Sequence, residues 1–270
     1  MKAIVRRILP ASLLSVVDLR SEMKSLAAMQ RQNVEATRLR RRLPEFRALD
    51  LAPEWDAVTQ ELEPLAIGDK SGAVNPGDRR AIYYLARALK PRTILEVGTH
   101  LGASTSMLAL ALRNSQVPSP RLVTVDIADV NGPRGAWARL GNKYSPKALV
   151  GALECDFVDF VVSPSIDFLR QCVSRFDLIF LDGGHEALTV YQEVPAALKV
   201  LNQDGLILLH DFYPNCEPLW SDGMVVPGPW LAIERLRKDG EPIRAEPLGA
   251  LPWTTKRDSN VTSLACLLAG

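Results

Sequence analysis

Histidine and cysteine are both scarce in this chain of 270 residues, which holds three of the first and four of the second. Cys155, Cys172, Cys216 and Cys266 form no C-x-x-C pair. That spacing excludes a zinc ribbon and a disulfide framework, and it suits reduced, buried thiols in a cytoplasmic protein. Charge of one sign is also lacking. A net charge of +1 removes the global electrostatic case for a nucleic-acid partner. No apolar run is long enough to span a bilayer. The first one is interrupted at Pro10 and followed by Asp18 and Arg20. It has no clean signal-peptide core or small-residue cleavage site. As an amphipathic stretch it could rest on a membrane surface, pair with a second copy of the chain, or pack on its own protein. The phosphate-binding turns G-x-G-x-x-G and G-x-x-x-x-G-K are absent too.

What the chain does hold is a regular alternation of strands and helices after a different N-terminal part. Residues 1–50 read as helical, with a basic cluster at Arg38, Arg40, Arg41 and Arg42, and Pro44 should end that helix. The cluster could meet an acidic lipid or a phosphate-bearing substrate, or form a solvated helix face. A connector with Pro53, Pro64 and Pro76 follows, so the expected division is a helical appendage at 1–75 and a main domain at 76–270. Within the main domain, strands are predicted at about 92–97, 121–125, 158–162, 177–181 and 206–209. Helices are predicted at about 76–89, 103–113, 165–173 and 186–201, with another inside 135–149. This order argues for a doubly wound, mostly parallel sheet with helices on both faces. Runs such as Leu178-Ile179-Phe180-Leu181 suit strands buried on both sides. After a helix at 229–238, the segments around 243–248 and 261–268 leave no room for a helix between them and should pair antiparallel.

His100, His185 and His210 each end or closely follow a predicted strand. Open α/β sheets bind ligands beyond the carboxyl ends of their parallel strands, so the three imidazoles are candidates for one cleft. Glu96-Val97-Gly98-Thr99-His100-Leu101-Gly102 forms a glycine turn after the first strand, where a ligand can approach the backbone. Asp126 closes the second strand, where a nucleotide fold places the acid that binds ribose hydroxyls. A ligand without phosphates needs no phosphate cradle, and Glu96 favours a cationic one.

The motif E-V-G-T-H-L-G-A-S at 96–104, the acid at Asp126 and the closing hairpin resemble the class I S-adenosylmethionine-dependent methyltransferases, over about residues 77–268. The resemblance implies a Rossmann-like sheet of seven strands with an antiparallel last strand. It also implies that Glu96, Gly98, Gly102 and Ser104 line S-adenosylmethionine and that Asp126 holds its ribose. Val161-Val162-Ser163-Pro164-Ser165 is similar to the adenine-contacting segment, and only Ser165 carries over from it.

Asp182-Gly183-Gly184-His185 and His210-Asp211 are similar to the metal-dependent O-methyltransferases of the sugar and natural-product branch. This implies Asp182 and Asp211 as ligands of a divalent metal, Mg²⁺ in that branch, and His185 as general base. Such a site suits methylation of a hydroxyl, whose proton must leave as the methyl group arrives. The implied partner is a small-molecule or glycoside acceptor. His210 stands where an acid is common, and Phe212 where catechol-type relatives often have Asn. Imidazole suits a transition metal better than Mg²⁺, so His210 is left open as a ligand, an acceptor contact or a structural group. Tyr213, Trp220, Met224 and Trp230 surround a loop that could cover an acceptor ring or pack in the core. Two rival readings are an NAD-dependent oxidoreductase, disfavoured by the missing glycine, and a non-catalytic scaffold whose N-terminal helices bind a partner or a membrane.

Overall fold

A computed structural model of the chain describes residues 11–32, 34, 36–43, 51–67, 73–256 and 259–270. Four helical segments come first or frame the sheet's start. They are α1 (Ala11–Ala27), α2 (Ala52–Leu62), α3 (Pro76–Leu89) and, after strand β1 (Thr93–Val97), helix α4 (Ala103–Ser115). Then follow β2 (Arg121–Asp126), α5 (Ala136–Arg139), α6 (Pro146–Ala152), β3 (Val158–Val162), α7 (Ser165–Gln171), β4 (Phe176–Leu181), α8 (Ala187–Lys199) and β5 (Leu201–Leu209). Helix α9 (Gly228–Lys238), β6 (Ile243–Pro247) and β7 (Ala265–Ala269) complete the fold.

The strands form one seven-stranded sheet in the order β3-β2-β1-β4-β5-β7-β6. β1 to β5 are parallel, and β7 runs antiparallel to both β5 and β6. The order reverses between β1 and β4, which opens a crevice above their carboxyl ends. Alternation along the strands sorts the core into two layers. Leu95, Val97, Ile179 and Leu181 face the layer with α1, α8 and α9. Ile94, Leu178 and Phe180 face the layer with α3 and α4.

The predicted strands and the antiparallel closure agree with the structure. The helix expected inside 135–149 is two short ones, because Ser145 caps a new start at Pro146 by accepting the Ala148 N–H at 3.2 Å. β5 begins at Leu201 instead of Leu206, and the register with β4 shifts between Phe176 and Leu178.

The N-terminal part departs further from expectation. The helix ends at Ala27, well before Pro44, and the prolyl residue and residues 1–10 lie outside the described residues. Arg235 of α9 donates to the carbonyls of Leu26 at 2.6 Å and Met29 at 3.1 Å, satisfying groups at the helix end. The basic cluster is no single helix face. Arg38 donates to the Lys199 carbonyl at 2.9 Å and Arg40 to that of Asp204 at 2.7 Å, while Arg41 and Arg42 are exposed. Leu26, Ala36 and Leu39 are buried in the layer with α8 and α9. No helix among the described residues is long and apolar enough to cross a membrane.

Candidate active site

Gly98 makes the turn out of β1 with φ +98°, and a Cβ there would lie 2.4 Å from the Asp182 carbonyl oxygen. The turn therefore packs directly on the loop that leaves β4. Gly102 starts α4 with φ +76°, and its missing Cβ leaves room for Pro146. Asp126 fixes the turn from β2. Its Oδ2 accepts the His100 N–H at 2.9 Å, and its Oδ1 accepts the Ala128 N–H at 2.9 Å.

Two cavities open above the strand ends. The larger, about 680 Å³, is lined by Gly98, Asp126, Ile127, Ser165, Asp182 and His185, among others. The smaller, about 180 Å³, is lined by Ser104, His185, His210, Asp211, Trp220 and Lys256, among others. Gly98, His100, Asp182 and His185 line both, so these residues form the seam between them.

Of the expected cofactor residues, Gly98, Asp126 and Ser165 line the larger cavity, and Gly98 and Ser104 the smaller. Glu96 lines neither, and it is fully buried. Its Oε2 accepts the hydroxyls of Thr105 at 2.5 Å and Thr124 at 2.6 Å, while Oε1 has no partner. Burial pushes its carboxyl up to about 7, against the pull of hydrogen bonds from Ser104, Thr105 and Thr124. Ser165 has a partner that the sequence did not announce. Its hydroxyl donates to Glu193 Oε1 at 2.5 Å, and burial pushes Glu193 up to about 7 as well.

At the seam, ligand atoms of Asp182, His185 and Asp211 all lie within 4.8 Å of one another. His185 Nδ1 is 3.5 Å from Asp211 Oδ2, and about half of its side chain is exposed. His210 is nearly buried and meets three carboxylates. Nδ1 lies 2.9 Å from Asp182 Oδ1 and 3.5 Å from Asp211 Oδ1, and Nε2 lies 3.4 Å from Asp78 Oδ2. The Asp182 approach is an ion contact out of line for a hydrogen bond. Burial alone would lower the imidazole, but the charges of Asp182 and Asp211 outweigh it and raise His210 well above its ordinary value.

Asp78 went unnoticed in the sequence because it reads as a first-turn acid of α3. Asn75 caps that helix by accepting the Asp78 N–H at 3.0 Å, and its amide donates to Asp78 Oδ2 at 2.6 Å. Gly77 lets the turn press against Thr255, whose Cα would be 2.4 Å from any Cβ. The acid is thus carried under His210 with its side chain wholly buried. Of the three aromatics expected at that loop, Tyr213, Trp220 and Trp230, Trp220 reaches the smaller cavity. It packs edge-on against Tyr213, and Lys256 Nζ sits 3.6 Å over its ring.

Residues 95–212 match a family described as "Methyltransferase domain". A curated relative, the O-methyltransferase hkm8 of Aspergillus hancockii, is 26% identical over 165 residues, which cover 57% of this chain and 60% of the relative. The chain thus spans about three fifths of that relative's length. Among solved structures, the O-methyltransferase from Bacillus cereus in complex with SAH is 20% identical. Its TM-score is 0.55, over 84% of this chain and 96% of that one. TomG from Streptomyces achromogenes, an O-methyltransferase involved in tomaymycin synthesis and solved with SAM, is 18% identical. Its TM-score is 0.51, over 97% of this chain and 99% of that one. Residues 95–212 thus match a methyltransferase domain, and the sheet shares its fold with these solved O-methyltransferases.

Proposed function

We propose that this protein moves the methyl group of S-adenosylmethionine onto a hydroxyl of a small molecule or glycoside, with His185 as the general base. The observation that carries the reading is the position of His185, which borders both cavities at the strand ends. In this reading the larger cavity takes the adenosyl part, with its ribose at Asp126 and its adenine near Ser165. Gly98 and Ser104 then flank the methionine part. The acceptor enters beside Asp211 and Trp220. Its oxygen forms a bond to the methyl carbon as the carbon–sulfur bond breaks, leaving S-adenosylhomocysteine. The hydroxyl proton passes to His185. With Asp211 on the Nδ1 side, Nε2 is the nitrogen left for that proton. Transfer to oxygen is supported by the likeness to proteins named O-methyltransferases.

The donor chemistry at the seam also fits a divalent cation. Oxygen ligands surround such ions at about 2.0–2.6 Å, and carboxylate oxygens of Asp182 and Asp211 within 4.8 Å of each other are compatible with that reach. Asp182 and Asp211 would hold the ion, and His210 braces both carboxylates from behind. When bound, the ion would polarise the acceptor hydroxyl and lower its pKa.

Calorimetry tests the cofactor. S-adenosylhomocysteine should bind and NAD should not, and tighter NAD binding would replace this reading by a dehydrogenase. His185→Ala should lower turnover about 100-fold or more, within the range general bases supply, while leaving cofactor affinity unchanged. Unaltered turnover removes the base assignment. Cofactor binding without turnover of any hydroxylated acceptor would instead favour a scaffold. Treatment with a chelator should abolish turnover, and added Mg²⁺ should restore it. Full activity in the chelator would leave Asp182 and Asp211 without a metal role.

A further inference from the structure

His185 lies in a loop built for backbone freedom, and two distant elements hold that loop. Gly183 and Gly184 precede it, and their missing side chains leave room for Val97 and Thr189. The loop ends at the first turn of α8, whose preceding residue Glu186 makes no side-chain cap. The cap comes from elsewhere. Glu22 of α1 places Oε2 2.6 Å from the Ala187 N–H, 165 residues away in sequence. A carboxylate there satisfies an orphan donor and also meets the positive end of the helix dipole.

On the other side stands Gly228, the first residue of α9. A Cβ there would overlap the His185 carbonyl oxygen at 1.9 Å and the Ala187 nitrogen at 2.7 Å. Helix α1 is itself tied down close by. Arg235 bonds the Leu26 and Met29 carbonyls, and the Tyr191 hydroxyl of α8 contacts the Gln30 carbonyl at 3.3 Å. Both braces lie outside residues 95–212, the stretch that matches the methyltransferase family.

We infer that Glu22 is a positioning residue for the reaction: from the N-terminal helix it sets the backbone of the Asp182–His185 loop, and through it the direction of the His185 imidazole. The inference rests on the role proposed above for His185, but it concerns loop geometry and can be read without turnover. Glu22→Gln keeps the shape and weakens the charge-assisted cap. Glu22→Asp shortens the reach while keeping the charge.

The test is the histidine ring spectrum of the full chain by NMR. Three histidines make assignment by single His→Gln variants straightforward. In Glu22→Gln the His185 ring signals should shift or broaden while those of His100 stay in place. Affinity for S-adenosylhomocysteine should stay within about twofold, as expected of a change remote from the cofactor contacts. With any acceptor that the wild type methylates, kcat should fall by about tenfold with the cofactor KM retained. Glu22→Asp should fall between the two proteins.

His185 signals identical to wild type would overturn the inference. So would signals of all three histidines moving together, because the cap would then serve the whole fold and not this loop. Failure of the wild type to bind S-adenosylhomocysteine would sink the methyltransferase reading instead, and the ring spectrum would still decide whether Glu22 positions His185.

Discussion

Glu193 is a single hydrogen bond from the larger cavity, through Ser165, yet almost no water reaches it. Burial raises its carboxyl from 4.5 to about 7, the Ser165 hydroxyl pulls it down, and Glu186 nearby pushes it up. The sign of the pH effect follows directly. The folded protein holds this proton more tightly than the unfolded chain does. Below the ordinary value both states are protonated, and the group contributes nothing. Between that value and about 7 the folded state loses stability as pH rises, and above 7 the whole cost is present. The cost is of order 3 kcal/mol. Glu193→Gln keeps an acceptor for Ser165 and removes the titration. Its stability in urea should therefore decline less than that of the wild type between pH 5 and pH 8, leaving only the slope due to Glu96 and other groups. Parallel pH profiles for the two proteins would show that Glu193 does not titrate as its burial implies.

Elements were legible where the pattern is local. Each central strand is a short apolar run, because both faces of a parallel strand meet helices, and each run is bounded by glycine, proline or acid. The glycine turn after β1 was legible for the same reason, since strand, glycine and helix follow one another closely. What escaped is what only packing decides. Glu96 reads as a cleft residue, yet strand parity turns it toward α4. It pairs with Thr124 and Phe180 in register, and Phe180 faces the layer that holds α3 and α4. Its hydroxyl partners then lie beneath the turn and not above it. Asp78 escaped because no spacing links the first turn of α3 to a histidine 132 positions later. His210, the member that fits the family pattern least, gains a physical account only with that third carboxylate in view. The loop after β5 was legible as aromatic, but which ring lines the cavity depended on how the loop folds over Val261, whose carbonyl accepts the Trp220 indole N–H at 3.2 Å.

At the scale of the whole molecule, the described N-terminal residues Leu26, Ala36 and Leu39 share a core layer with the sheet. Reading residues 1–75 as an appendage predicts that they could melt apart from the rest. The packing predicts the opposite for the described stretch 36–43. Leu39 is 2% exposed and bridges to Gly205 of β5. The Arg40 carbonyl accepts the Ala269 N–H of β7 at 2.8 Å, and the Arg40 N–H donates to the Gly205 carbonyl at 3.2 Å. These bonds tie the segment to β5 and β7. Leu39→Ala removes buried methyl groups from that joint and should cost about 2–5 kcal/mol, the usual range for truncating a core leucine. The loss should appear in the unfolding of the entire protein. Urea denaturation followed by tryptophan fluorescence and by far-ultraviolet circular dichroism should give coincident transitions in wild type and variant, with the variant's midpoint lower for both probes. A separate early transition in the variant, with the remaining signal unfolding at the wild-type midpoint, would mean that the N-terminal part is an independent unit after all. It would also deprive Glu22 of the rigid support that its action on the His185 loop requires.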